Sequence, residues 1–209
     1  MADLPLTFYH MPNSRSSSVR VLLEELGAPF RLHAIPQGGT RDPAYVAVNP
    51  MGKVPAIRHG DALVTEQAAI YIYLADIFPE AGLAPPIGDP LRGPYLRWFV
   101  FYGSAFEPAV VDKALKRDGG QAAMSPYGDY DTVLDTVSGQ LKTGPWFLGD
   151  RFTALDVLWG NGLAWTMQFG IVPERPEFRA YADRVMNRPA TKRATEADAA
   201  LAEQQKAEG

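Results

Sequence analysis

The sequence predicts a two-part protein, an α/β N-terminal domain followed by an all-α helical domain. Three observations carry this. Residues 4–78 read in the order β-α-β-α-β-β-α. Residues 79–94 are punctuated by Pro79, Gly82, Pro85, Pro86, Gly88, Pro90, Gly93 and Pro94, the composition of a linker. Beyond them strand signals vanish, and Tyr95, Trp98, Phe99, Tyr102 and Phe106 fall on a helical stripe. The expected division is residues 1–79, a linker at 80–94, and a helical domain at 95–209, within the one or two domains that this length suggests.

The elements follow in order. Residues 4–9 form a strand, rich in aromatic and β-compatible types. Residues 11–18 are a polar bridge holding Pro12, Asn13 and four serines. Val19, Leu22, Leu23 and Leu26 then recur at helical spacing, with Gly27 as the stop. Residues 30–35 alternate as a second strand, and 41–48 allow a short helix before Asn49-Pro50. Residues 54–58 and 62–64 bracket Gly60-Asp61 as a hairpin. Ala69, Ile70, Tyr73, Leu74 and Ile77 mark a helix over 66–78. Further helices are expected near 90–117, 125–142, 154–169, 175–187 and 190–206. Thr153 and Asp156 have capping-box spacing, with Phe152 and Val157 as a hydrophobic staple. The Ala/Glu/Gln-rich tail, 195–209, is expected to fray or pack weakly.

Composition removes several function classes. A net charge of −4 gives no basic footprint for nucleic acid. No apolar run is long enough to span a membrane, and the first residues lack the basic and apolar regions of a signal peptide, so a cytoplasmic location is expected. Cysteine is absent, which excludes disulfides, thiolate metal sites and a cysteine nucleophile; any thiol must arrive with a ligand. His10, His33 and His59 are scattered, so no metal site is expected. No nucleotide-binding glycine motif appears, and Gly52-Lys53 precedes a valine and a strand. No Ser-His-Asp triad can be argued from spacing.

One stretch points to a ligand. Val54-Pro55 opens a short apolar run, and Pro cannot donate to a sheet, so the valine's own N–H and C=O are available to something outside the fold. A little further on, Thr65-Glu66-Gln67 opens a helix whose unpaired N–H groups suit a carboxylate. Together they suit a short peptide-like ligand with an anionic end.

The chain resembles the cytosolic glutathione transferase family, in a bacterial form like its serine- and cysteine-type members. The resemblance spans nearly the whole sequence. It is carried by the strand-serine-helix opening, Asn49-Pro50-Met51-Gly52-Lys53-Val54-Pro55-Ala56, Glu66-Gln67-Ala68-Ala69-Ile70, the proline-rich linker, and the capping box at 152–156. It implies a thioredoxin-like first domain, an all-helical second domain, a cis bond before Pro55 and a homodimer. The implied activity is conjugation of the glutathione thiolate to small hydrophobic electrophiles, with glutathione peroxidase or disulfide reductase activity beside it. The alternative is a non-catalytic protein of this fold that binds ligands or partners.

By that resemblance, the Val54 backbone before Pro55 pairs with the cysteinyl part of glutathione. Glu66 and Gln67 hold the γ-glutamyl end, Lys53 meets the glycyl carboxylate, and Gln37 is a further contact. Glutathione is the co-substrate, and no metal is implied. The chemical task is to ionise a thiol. Its pKa of about 8.5 leaves about 3 % thiolate at neutral pH, and a drop of about two units is worth about 2.7 kcal/mol. A helix N-terminus contributes about 0.3–2 kcal/mol. One charge-assisted hydrogen bond contributes about 1.5–3 kcal/mol, so dipole and one hydroxyl suffice without a general base. Serine-type members place the active serine around Asn13 or Ser14; cysteine-type members place cysteine at Arg15, followed by Ser16. The candidates are Ser14 first, Ser16 second, Asn13 through its amide, and Tyr9 as a tyrosine-type donor; the serines also suit a helix cap. Arg15 either adds positive potential near sulfur or faces solvent. The second substrate is expected between the domains, against Met11, Trp98, Tyr102, Phe106, Trp165 and Phe169, although an aromatic stripe also suits a core.

Overall fold

The computed structural model describes residues 5–208. Leu4, the first residue of the expected opening strand, and Gly209 lie outside the described residues. Contacts divide the chain into two compact units, Met1–Leu83 with Arg188–Gly209, and Ala84–Asn187.

The first unit is built on a four-stranded sheet in the order β2-β1-β3-β4. The strands are β1 (Leu6–His10), β2 (Arg31–Ala34), β3 (Ala56–His59) and β4 (Ala62–Val64). β1 runs parallel to β2 and antiparallel to β3, with Phe8 opposite Leu32 and Ile57. A parallel β1–β2 pair needs a crossover, and α1 (Ser16–Leu26) supplies it. Val19, Leu22, Leu23 and Leu26 are buried on one face of α1, and Gly27 ends it at φ 63°. The expected short helix is α2 (Pro43–Val46), capped by Asp42 Oδ1, which accepts the Ala44 N–H at 2.7 Å. The Val54–Pro55 bond is cis, as the resemblance implied. The hairpin turns at Gly60 (φ 57°), and α3 (Gln67–Ile77) follows.

The second unit is helical. The single helix expected near 90–117 is interrupted: α4 (Arg92–Phe101) passes through a π-helical turn, Tyr102–Phe106, into α5 (Glu107–Leu115). α6 (Tyr130–Leu141), α7 (Ala154–Gln168) and α8 (Pro176–Met186) complete it. Its core is aromatic. Trp159 packs against Trp98, Tyr102, Phe106 and Phe147 with ring centroids 4.8–6.0 Å apart. The capping box forms at the start of α7, where the Thr153 N–H donates to Asp156 Oδ2 at 2.8 Å.

The last helix, α9 (Pro189–Glu208), corrects one expectation: it belongs with the first unit, not the helical one. Its beginning is well packed, while residues 199–208 are exposed or half-buried, in keeping with the weakly packed tail expected from residue 195 on. Ala190, Thr191, Ala194 and Asp198 are buried. Arg193 pairs with Glu24 at 3.0 Å, and Arg188, just before the helix, grips Glu25 with two bonds of 2.5 and 2.8 Å. Farther along, the Gln205 side chain donates to the carbonyl of Ile35 at 3.3 Å.

Candidate functional site

The polar bridge between β1 and α1 is wound by its own serines. Asn13 takes the left-handed conformation (φ 56°), which asparagine tolerates better than most residues. Ser14 Oγ accepts the Ser16 N–H at 3.1 Å, and the Ser14 carbonyl accepts the Ser17 N–H at 3.0 Å. Ser14 therefore does the capping work, while Arg15 in the N-cap position makes no side-chain cap bond. Ser14 is half-buried, and its Oγ lies 2.7 Å from both the Met11 carbonyl and Ser16 Oγ.

Ser16 is fully buried, which corrects its place as a thiolate donor: its hydroxyl has no access to a ligand. Instead its Oγ meets His10 Nδ1 at 2.8 Å and the Met11 carbonyl at 3.0 Å, and it accepts the Met11 N–H at 3.2 Å. His10 is fully buried at the end of β1, and its Nε2 lies 2.6 Å from Asp198 Oδ1 of α9. That contact is at ion-pair distance, although its angle falls short of a straight hydrogen bond. Asp198 Oδ2 accepts the Asn13 N–H at 3.1 Å and the Ser17 hydroxyl at 3.0 Å. Burial works against the Asp198 carboxylate, but the bonds from His10, Asn13 and Ser17 outweigh it and hold its pKa below the usual value. So the structure assembles a Ser16–His10–Asp198 constellation that spacing along the chain did not reveal. Tyr9 is also corrected: its ring is buried among Ile35, Tyr45 and Ala56, with Met11 and Val54 packed alongside.

Two more of the expected glutathione contacts, Gln37 and Gln67, bond to this turn. The Gln37 side chain donates to the Pro12 carbonyl at 2.9 Å. The Gln67 side chain donates to the Arg15 carbonyl at 3.2 Å and to Ser18 Oγ at 2.7 Å, tying the start of α3 to the start of α1. Gln67 thus spends its side-chain amide on the fold, which leaves its place at the helix start as the feature that suits a carboxylate. Glu66 is exposed and sits at φ 64°, ψ 118°, a costly conformation for a residue with a side chain. The loop before Pro55 is fixed by the Lys53 carbonyl, which accepts the Tyr45 hydroxyl at 2.6 Å and the Asn49 amide at 2.8 Å. Within it Gly52 has φ 57°, and a Cβ there would lie 2.7 Å from the Thr40 carbonyl oxygen, so only glycine fits. The sheet ladder begins at Ala56, so the Val54 N–H and C=O lie outside it, and Lys53 and Arg15 are exposed.

Of the residues expected to meet a second substrate, Trp98, Tyr102 and Phe106 are core residues at 2, 5 and 0 % exposure. Their stripe serves packing around Trp159. Met11 is half-buried, while Trp165 and Phe169 are exposed at 46 and 60 % and touch each other at the end of α7.

Known proteins resemble this chain in sequence and fold. The N-terminal domain family of glutathione S-transferase matches residues 8–82, and the C-terminal domain family matches residues 99–189. The fold is similar to that of a glutathione transferase from Methylococcus capsulatus, with 30% identity and a TM-score of 0.79 over 93% of this chain and 98% of that one. A sphingomonad glutathione S-transferase complexed with glutathione is 28% identical, with a TM-score of 0.78 over 92% of this chain and 98% of its own. Glutathione S-transferase GstA of Escherichia coli O157:H7 is 26% identical over 198 residues, 92% of this chain and 98% of that protein. The chain belongs to the glutathione transferase family, with its thioredoxin-like sheet domain and its helical domain.

Proposed function

We propose that this glutathione transferase binds glutathione along the segments 52–55 and 66–67 and uses the Ser14 hydroxyl to hold the thiol as a thiolate, which attacks a small hydrophobic electrophile. One observation carries the reading. Hydrogen bonds from Gln37 and Gln67 draw the β2–α2 loop and the start of α3 onto the turn that presents the half-buried Ser14 hydroxyl. The roles follow from chemistry. The Val54 backbone pairs with the cysteinyl unit. Glu66 meets the α-amino group, and the N–H groups at the start of α3 take the α-carboxylate. Lys53 meets the glycyl carboxylate as a point charge. The Ser14 hydroxyl donates a hydrogen bond to the sulfur, beside the N-terminus of α1. The glutathione-bound relatives from a sphingomonad and from Sulfitobacter support the choice of ligand. Within the helical unit, Trp165 and Phe169 are an exposed aromatic surface of the kind that suits a hydrophobic electrophile. Peroxidase or disulfide reductase turnover by the same thiolate, and assembly as a homodimer, belong to this reading.

The test is Ser14→Ala. A charge-assisted hydrogen bond is worth about 1.5–3 kcal/mol, so turnover with a standard electrophile falls at least about tenfold. Glutathione affinity, measured by calorimetry, changes little. Unchanged turnover removes Ser14 from the role. Retention on a glutathione column without thiolate absorbance in the wild type assigns the chain to binding without catalysis.

A further inference from the structure

The mechanism above leaves unused two buried polar groups of the first unit, His10 and Asp198. Their surroundings are simple. Phe8 of β1 stacks on the imidazole at 5.1 Å, Ser16 of α1 meets Nδ1, and Asp198 of α9 supplies the one charged group paired with the ring among the described residues. His10 Nε2 and Asp198 Oδ1 are both sealed from solvent and face each other at 2.6 Å. A carboxylate facing Nε2 requires the ring proton to sit there. In the neutral ring Nδ1 is then an acceptor, and Ser16, the partner that it meets at 2.8 Å, must donate to it.

That assignment propagates. Ser16 has one proton, now committed to His10, so its oxygen is left to accept from the Met11 N–H and from Ser14. Ser14 in turn gives its one proton to Ser16, which leaves the Ser14 oxygen to accept from a thiol. The hydroxyl chain is therefore directional, running from Ser14 through Ser16 to His10, with 2.7 and 2.8 Å between successive atoms. We propose that the buried Asp198–His10 pair sets the direction of the Ser14–Ser16 hydroxyl chain and takes up the proton released by the ligand thiol. This rests on the reading of Ser14 as the group that meets sulfur. The step balances as follows. The thiol S–H bond breaks and its proton binds Ser14 Oγ. The former Ser14 proton passes to Ser16 Oγ, and the former Ser16 proton passes to His10 Nδ1. The products are a thiolate, two neutral serines and an imidazolium facing the Asp198 carboxylate. Ser14 still holds a proton to donate to the sulfur. His10 touches no substrate; it and Asp198 act as positioning residues through the serines.

Asp198→Asn tests this. The amide oxygen keeps the bonds from the Asn13 N–H and the Ser17 hydroxyl, so the turn remains in place. The amide NH₂ then faces Nε2 and selects the other tautomer, in which Nδ1 carries a proton and cannot accept one from Ser16. The readout is a pH titration of thiolate absorbance for glutathione bound to wild type and variant. The expected result is a bound-thiol pKa at least about one unit higher in the variant, with turnover at neutral pH down about tenfold. Glutathione affinity stays within about threefold. An unchanged bound-thiol pKa overturns the proposal, even where melting temperature falls, because a merely structural role moves stability alone. A second measurement needs no variant. ¹⁵N-histidine spectra of the wild type should show His10 protonated on Nε2 without ligand and on both nitrogens once the thiolate forms. A ring that stays neutral beside a formed thiolate also overturns it. Wild type that forms no thiolate removes the function reading and this inference together, whereas wild-type thiolate with an unaltered variant removes this inference alone.

Discussion

At the scale of single residues, the same chemical types do different work according to what covers them. Ser14 and Ser16 are two positions apart; one is half-buried and the other sealed against His10. Their spacing from α1 was readable, but which of them is sealed was not, because Ser16 is held against His10, which Asp198 of α9 meets from far along the chain. Asp156 shows the converse. Its capping role was legible from Thr153-Ala154-Leu155-Asp156 and the structure builds it. The Phe147 N–H and the Tyr181 hydroxyl also donate to it, at 2.8 and 2.9 Å. Burial nonetheless pushes its pKa up to about 6, against which these bonds only partly pull. A raised carboxylate pKa means that the folded state binds the proton more tightly than the unfolded chain. Its contribution to stability is therefore lost as pH rises from about 4 through about 6 and is constant above, a change of about 3 kcal/mol. Asp156→Asn mimics the protonated form. In urea unfolding, the margin of wild type over this variant should be wider near pH 4 than near pH 7 by about that amount. A margin independent of pH contradicts it.

At the scale of elements, periodicity located the strands and helices, while packing set their limits. The stripe from Tyr95 to Phe106 correctly read as helical. The π turn at Tyr102–Phe106 was invisible, because an inserted residue alters hydrogen-bond register without altering composition. The approach of α7 to α8 is another feature that periodicity does not encode. Gly160 lies against Val185, and a Cβ at Gly160 would fall 2.4–2.7 Å from three Val185 side-chain atoms. Gly160→Ala should therefore lower stability by about 1–3 kcal/mol, read as a drop in melting temperature. Val185→Ala in the same chain should restore only part of it, since the Val185 Cβ itself is 2.5 Å from the added atom. Full restoration would show that the helices slide apart at little cost.

At the scale of the whole molecule, the chain leaves its first unit after Leu83 and returns to it at Arg188. A fragment of residues 1–83 lacks α9, so it exposes the α1 face that Ala190 and Ala194 cover and leaves Glu25 without Arg188. It should show no cooperative thermal transition by circular dichroism, unlike the full chain, and fragment stability equal to that of the full chain would contradict this. The sequence by itself determined the order of elements, the capping box and the family, because periodicity, proline and glycine placement and short motifs are local properties. Only the tertiary structure decided that α9 closes the first unit, that Trp98, Tyr102 and Phe106 form a core, and that Asp198 reaches His10 across almost the full length of the chain. Such a pairing leaves no periodic trace in either segment; it exists only where packing brings β1, α1 and α9 together.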